Sequence, residues 1–190
     1  MRTITTNTTV YTFDELSEDA QQAAIENLYD INVDGDYWYF DEYLEDLAKE
    51  YGIVLKWNDL CFDLHQNSWL YLDNHDHSRK GDVSYLDDPR KFLKMAGFDL
   101  RSKDARSMIE YGISLDCKHY GGGDGRSIIN TDGTDISGES EDKLQASIDE
   151  LCDKLKSELR SIYDGATSED AIKETIYANE YEFTEDGKLA

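Results

Sequence analysis

The sequence predicts a single α+β domain over residues 1–190, in which a central antiparallel sheet is flanked by acidic amphipathic helices. Three observations predict this class. Short runs of large apolar side chains between residues 53 and 73 are typical of two or three paired strands. Apolar residues recur every three or four positions near both ends of the chain, as in helices that pack on a core. An aromatic content of 12% supplies the large apolar groups that a folded core needs.

The first fifty residues predict a strand and two helices. Residues 2–13 are rich in β-branched threonine, which favours a strand. Ser17 is placed as the N-cap of the first helix, whose apolar stripe is Leu16, Ala20, Ala24 and Leu28. The second helix should follow residue 36 and end at Gly52, with a buried stripe formed by Phe40, Leu44, Leu47 and Tyr51.

The region after residue 87 predicts short helices and then a loop. One helix should run from Asp88-Pro89 to Ala96, because proline favours the first helical position, and another from Ser102 to Gly112. Residues 121–139 contain a glycine cluster and predict a flexible loop.

The last fifty residues predict two helices and a strand. Ser140 is placed as the N-cap of the longest helix, whose stripe is Leu144, Ile148, Leu151, Leu155, Leu159 and Ile162. Thr167 has capping-box spacing to Asp170 and should open the final helix. Residues 181–190 favour a short strand with an Asp-Gly turn.

The net charge restricts the class of partner. The chain has 42 acidic and 19 basic residues and a formal net charge of −23. Residues 1–50 and 131–190 each carry a net charge of −11, whereas residues 51–130 carry −1. This charge opposes direct binding to nucleic acid or to an anionic membrane. It favours a basic protein partner, in particular one that ordinarily binds nucleic acid.

The sequence predicts a cytosolic location. Its three cysteines, Cys61, Cys117 and Cys152, are odd in number and widely spaced, which favours a reducing compartment. No apolar run approaches the roughly 18 residues of a membrane span. The start, MRTITTNTTV, lacks the apolar centre of a secretory signal.

The second helix carries the predicted partner-binding site. Carboxylates spaced along a helix can stand in for phosphates, and neighbouring aromatic rings offer faces for cations. The alternative is that the rings belong to the core and the acids form a solvated face. The candidate residues are Asp36, Trp38, Asp41, Glu42, Glu45 and Asp46.

A calcium loop is the one metal-site candidate at this end of the chain. Oxygen-bearing residues fall at loop positions one, three, five, seven and twelve, and Gly35 falls at six; the residues are Asp30, Asn32, Asp34, Asp36 and Asp41. An aspartate at position twelve and a tyrosine at position eight weaken the match. The alternative is a solvated turn between two helices, and we expect no bound metal or other cofactor.

No motif predicts an enzyme. The glycine cluster lacks the residues of a phosphate-binding loop, and neither GxSxG nor HExxH occurs. His75 and His77, with His65, could supply metal ligands, although such residues are also common in turns after strands. A metal-dependent enzyme is therefore the least favoured class.

One basic cluster interrupts the acidic sequence. It either neutralises the acidic ends within the fold or contacts a phosphate or an acidic surface. Its members are Arg90, Lys91, Lys94, Arg101, Lys103 and Arg106.

Three segments carry a resemblance to known sequences. They are TFDELSEDAQQAAIEN (12–27), DINVDGDYWYFDEYLEDLAKEYGI (30–53) and TSEDAIKETIYANEYEFTEDGKLA (167–190). In these segments the chain resembles small acidic proteins of bacteriophages and mobile elements, loosely described as antitoxin-like or hypothetical phage proteins. The resemblance implies a phage origin and a bacterial cytoplasmic location, but no catalytic activity.

Charge and resemblance together lead to one functional hypothesis. The chain is expected to be a phage-encoded, non-enzymatic inhibitor of a host nucleic-acid-binding defence system, such as a restriction nuclease or a CRISPR effector. It would act by imitating nucleic acid or by occluding a basic groove. The alternative is an antitoxin-like protein that neutralises a basic toxin.

Overall fold

The structure is a computed structural model that describes residues 2, 9–35, 42–55, 60–64, 69–72, 86, 88–119, 125–131 and 134–190. Within these residues the helices are α1 Glu18–Asn27, α2 Glu42–Glu50, α3 Pro89–Met95, α4 Lys103–Tyr111, α5 Gly138–Ala166 and α6 Glu169–Ala178. The strands are β1 Tyr11–Thr12, β2 Leu60–Asp63, β3 Trp69–Leu72, β4 Ser114–His119, β5 Gly125–Asn130 and β6 Glu182–Phe183. The predicted α+β class is confirmed. No helix in the described part of the chain is long and apolar enough to cross a membrane.

The strands of the described residues pair as three antiparallel ladders of two strands each: β1 with β6, β2 with β3, and β4 with β5. The second and third ladders meet where β3 contacts β5. There the backbone N–H of Leu72 donates to the hydroxyl of the buried Ser127 at 2.8 Å. This bond ties the backbone of β3 to a side chain of β5.

The chain divides into two compact units. The first comprises residues 1–39 and 161–190, and the second comprises residues 40–160. The single domain expected from the sequence remains a prediction.

The first unit joins the two ends of the sequence. Strands β1 and β6 pair with Tyr11 opposite Phe183 and Thr12 opposite Glu182. Helix α1 begins after Ser17, whose hydroxyl accepts from the N–H of Ala20 at 3.3 Å, as predicted. The buried core is Phe13, Leu16, Ala20, Ala24, Ile25, Ile172, Ile176 and Phe183.

The second unit contains residues 138–160 of α5, which bind strand β5 and helix α4 through hydrogen bonds from Gln145 and Ser140. The predicted stripe of α5 is confirmed, because Leu144, Ile148, Leu151, Leu155 and Leu159 are all buried. Ile162, the last member of that stripe, is half-buried. Helices α3 and α4 occupy the predicted segments, with Asp88 and Ser102 as their N-caps.

Three local predictions are corrected. Residues 125–130, predicted as part of a flexible loop, form strand β5, which pairs with β4. The loop was predicted because a glycine cluster directly precedes the short apolar stretch of this strand. Ser140 lies inside α5, where the hydroxyl of Ser137 accepts from the N–H of Ser140 at 3.3 Å.

The cap of α6 is the third correction. Ser168, rather than Thr167, caps α6, because its hydroxyl accepts from the N–H of Ala171. The hydroxyl of Thr167 donates to the Tyr163 carbonyl instead.

Candidate protein-interaction surface

The predicted partner-binding helix is described only in part. Asp36, Trp38 and Asp41 lie outside the described residues. Helix α2 buries Leu44 completely, and on its outer side Glu42 is exposed. The buried stripe therefore runs as expected through Leu44, while Phe40 lies outside the described residues and Leu47 is half-buried.

Of the three candidate carboxylates that the structure describes on α2, two share a single cation. The ammonium of Lys49 lies 3.1 Å from Asp46 Oδ1 and 3.4 Å from Glu45 Oε2. The hydrogen bond that this ammonium donates to Asp46, followed by the one that it donates to Glu45, raises the pKa of Lys49. The Asp46 side chain remains 73% exposed, so the pairing is screened by water and stabilises the helix only slightly. The pairing does, however, reduce the net negative charge that α2 can offer to a partner.

In the calcium-loop candidate, the side chain of Asn32 is hydrogen-bonded to other parts of the fold. The Asn32 side-chain oxygen accepts from the Thr175 hydroxyl at 2.7 Å, and its amide nitrogen donates to the Ala166 carbonyl at 2.9 Å. Both ends of this amide therefore bind residues 166 and 175 of the same unit. Asp36 and Asp41, the remaining candidates toward the end of the loop, lie outside the described residues.

No three histidine, cysteine or carboxylate residues of the described ranges come together in a way that would hold a metal ion. The histidine candidates His65, His75 and His77 lie outside those ranges.

The basic cluster makes contacts within the second unit. The ammonium of Lys91 donates to the backbone carbonyl of Lys49. Lys103 lies 3.9 Å from Asp135, with both side chains well exposed. Only the second contact pairs opposite charges, and water screens it, so neutralisation of charge within the fold stays a prediction for this cluster.

The strongest concentration of negative charge is in the first unit. Its 69 positions carry 16 acidic and 3 basic residues. Both of its lysines are occupied by near neighbours in sequence: Lys173 binds Glu169 and Lys188 binds Asp186, each at 2.5 Å. The remaining carboxylates of this unit therefore dominate its surface potential.

A groove of about 450 Å³ opens on this acidic unit. On one side is the 3₁₀ turn Phe13–Glu15, and on the other is the end of α6 with the segment that follows it. Aromatic and acidic side chains line it together: Phe13, Asp14, Tyr177, Glu180, Tyr181 and Glu182.

The groove is held by contacts among these residues. The Tyr177 hydroxyl donates to Asp14 Oδ1 at 2.6 Å, and this bond raises the pKa of Tyr177. The Tyr177 ring meets the buried Phe13 ring edge-on, with centroids 5.9 Å apart. The Tyr177 side chain nonetheless remains 51% exposed, so much of the residue is accessible to a ligand.

None of the sites predicted from the sequence coincides with this groove. Acidic and aromatic residues alternate from Glu180 to Phe183, and that alternation was the available signal. The groove forms only in the folded chain. Phe13 and Asp14 lie more than 160 positions before Tyr177 in the sequence, and the fold brings them into contact with it.

No protein-family model, curated protein or solved structure matches this chain.

Proposed function

We propose that this chain is a phage-encoded, non-enzymatic inhibitor that binds a basic, nucleic-acid-binding protein of a host defence system in the bacterial cytoplasm. A CRISPR effector or a restriction nuclease has the required basic groove. The observation that carries the proposal is the charge of the first unit, 16 acidic against 3 basic residues, with both of its lysines already bound to adjacent carboxylates.

The mechanism follows from electrostatics. A surface with uncompensated carboxylates attracts a groove that is lined with lysine and arginine to bind phosphates. Opposite potentials accelerate the encounter, and the bound inhibitor excludes nucleic acid from the same groove. The exposed carboxylates of α2, Glu42 and Asp46 above all, would extend the acidic surface offered by the second unit.

A phage-challenge assay tests this function. The chain is expressed in bacteria that each carry one defined CRISPR or restriction system, and plaquing by a phage that the system targets is counted. If the chain inhibits a defence system, the targeted phage should again form plaques on at least one of these strains. With the purified effector of that system, the chain should compete with labelled DNA in fluorescence anisotropy. The competition should weaken steeply as salt rises, because exposed charges are screened within about 8 Å at physiological ionic strength.

Two results would contradict the proposal. If no system is inhibited, while the chain rescues cells from a co-expressed basic toxin, the antitoxin function replaces it. If inhibition occurs but is equally strong at low and high salt, the interface is apolar and electrostatic occlusion is wrong.

A further inference from the structure

We propose that the groove of the first unit binds an arginine side chain of the partner protein. The inference deepens the proposed function and rests on it. A bound cation is stabilised by negative charge and by aromatic faces, and the groove contains both. Its acidic residues are Asp14, Glu180 and Glu182, and its tyrosines are Tyr177 and Tyr181. None of the described residues that line it is basic.

The combination of groups favours arginine over lysine. A guanidinium is planar and stacks on an aromatic face, while its fork of N–H groups pairs with a carboxylate. An ammonium is more strongly hydrated and presents a point charge, so it gains less from an exposed ring. The groove volume of about 450 Å³ lies within the range of small-ligand sites, so it can admit one side chain and part of its backbone.

The position of Glu180 gives a means to separate binding from folding. Helix α6 ends in a Schellman motif, in which the N–H of Tyr181 donates to the Ile176 carbonyl and the N–H of Glu180 to the Tyr177 carbonyl, each at 3.2 Å. The motif places Glu180 at a φ of 51°, where glycine is favoured. Replacing Glu180 by glycine should therefore stabilise the fold while it removes a carboxylate from the groove.

The test uses the full chain and two blocked tripeptides, Gly-Arg-Gly and Gly-Lys-Gly, in an NMR titration. The arginine peptide should shift the amide signals of Tyr177 and of residues 180–182, and these shifts should saturate. It should bind at least about threefold more tightly than the lysine peptide, as expected for a cation–π contribution at a partly exposed site. Equal affinities, or small shifts spread over the acidic surface, would overturn the proposal.

Three variants test whether the arginine peptide binds in the groove. Tyr177→Leu and Glu180→Gly should each weaken binding of the arginine peptide by about threefold or more. Glu180→Gly should at the same time raise the unfolding temperature, so misfolding cannot explain its loss of binding. Glu26→Gln is the matched control, because it removes one exposed carboxylate of the same unit that does not line the groove. If the control weakens binding as much as Glu180→Gly does, the effect is one of general charge and the groove is not the site.

Failure here is distinguishable from failure of the proposed function. A chain that restores plaquing but discriminates neither peptide refutes the groove and leaves the inhibitor function intact. A chain that binds the arginine peptide in the groove but inhibits no defence system keeps the site and refutes the function.

Discussion

Gly187 packs directly against the backbone of Ala20, 167 positions earlier in the chain. A β-carbon built on Gly187 would lie 2.2 Å from the Ala20 carbonyl oxygen and 3.1 Å from the Ala24 nitrogen. The glycine also has a φ of 78°, in the region that other residues enter only at a cost. The C-terminal turn can therefore close against α1 only because no side chain is present at this position.

Gly187→Ala should lower the free energy of unfolding by about 2 kcal/mol or more, from the combined strain of the backbone and the close contact. Urea unfolding followed by circular dichroism measures the change. Gly165→Ala is the matched control: this helical glycine has open space around it, and alanine there should add about 0.5–1 kcal/mol. Equal stability of the two variants would show that the turn does not pack as described.

Asn32→Ala should destabilise the first unit by about 1–3 kcal/mol, because it removes both hydrogen bonds of the amide and leaves the Thr175 hydroxyl and the Ala166 carbonyl without this partner. A double-mutant cycle with Thr175→Val isolates the bond between the two side chains. Additive effects in that cycle would contradict the 2.7 Å contact.

Calcium should leave the unfolding temperature unchanged. A ligand that binds only the folded state stabilises it by mass action, and Asn32 is committed to Thr175 and Ala166. Scanning calorimetry with millimolar calcium and with chelator tests this expectation. A rise in calcium that Asp30→Ala abolishes would instead establish the loop as a metal site.

Charge changes on α2 should alter partner binding in both directions. Reversing Glu42, Glu45 and Asp46 to lysine together should leave the fold intact and abolish binding. Lys49→Gln should strengthen binding, because it releases the two carboxylates that this lysine now binds. Affinity for the effector identified in the phage assay is the measurement, and the pair His75→Ala with His77→Ala should leave it unchanged. Normal binding by the triple variant would move the interface away from α2, toward the acidic C-terminal helices.

Acid should weaken the start of α5 through Asp104. Its carboxylate accepts from the Ser140 hydroxyl at 2.5 Å and from the N–H and hydroxyl of Ser137 at 3.2 and 3.0 Å. The bond from Ser140, followed by those from Ser137, holds the pKa of Asp104 below its ordinary value of 3.8. The stabilisation is therefore present above that value and is lost as the pH falls through the lower pKa of the folded state.

Asp104→Asn should remove this part of the pH dependence. The unfolding temperature of the wild type and of the variant, measured from neutral pH down to acid, should differ most at neutral pH and converge below the pKa of Asp104. Glu110→Gln, an exposed change on the same helix, is the control and should track the wild type. A constant difference across the whole range would assign the effect to packing rather than to ionisation.

The sequence by itself determined the elements whose signals are local. The cap at Ser17, the Asp88-Pro89 start of α3 and the long apolar stripe of α5 each depend on residues within a few turns of one another, and each is confirmed. The α+β class followed from the same periodicities. Strand β5 was missed because its pairing with β4 is set by a partner strand rather than by its own glycine-rich surroundings.

Tertiary structure alone decided which distant residues meet. Asn32, placed by its spacing in a calcium loop, binds Thr175 because α6 returns to it. Tyr177 faces Phe13 and Asp14 only because the two ends of the chain fold into one unit. Such contacts depend on the path of the whole backbone, and no short-range periodicity or motif encodes that path.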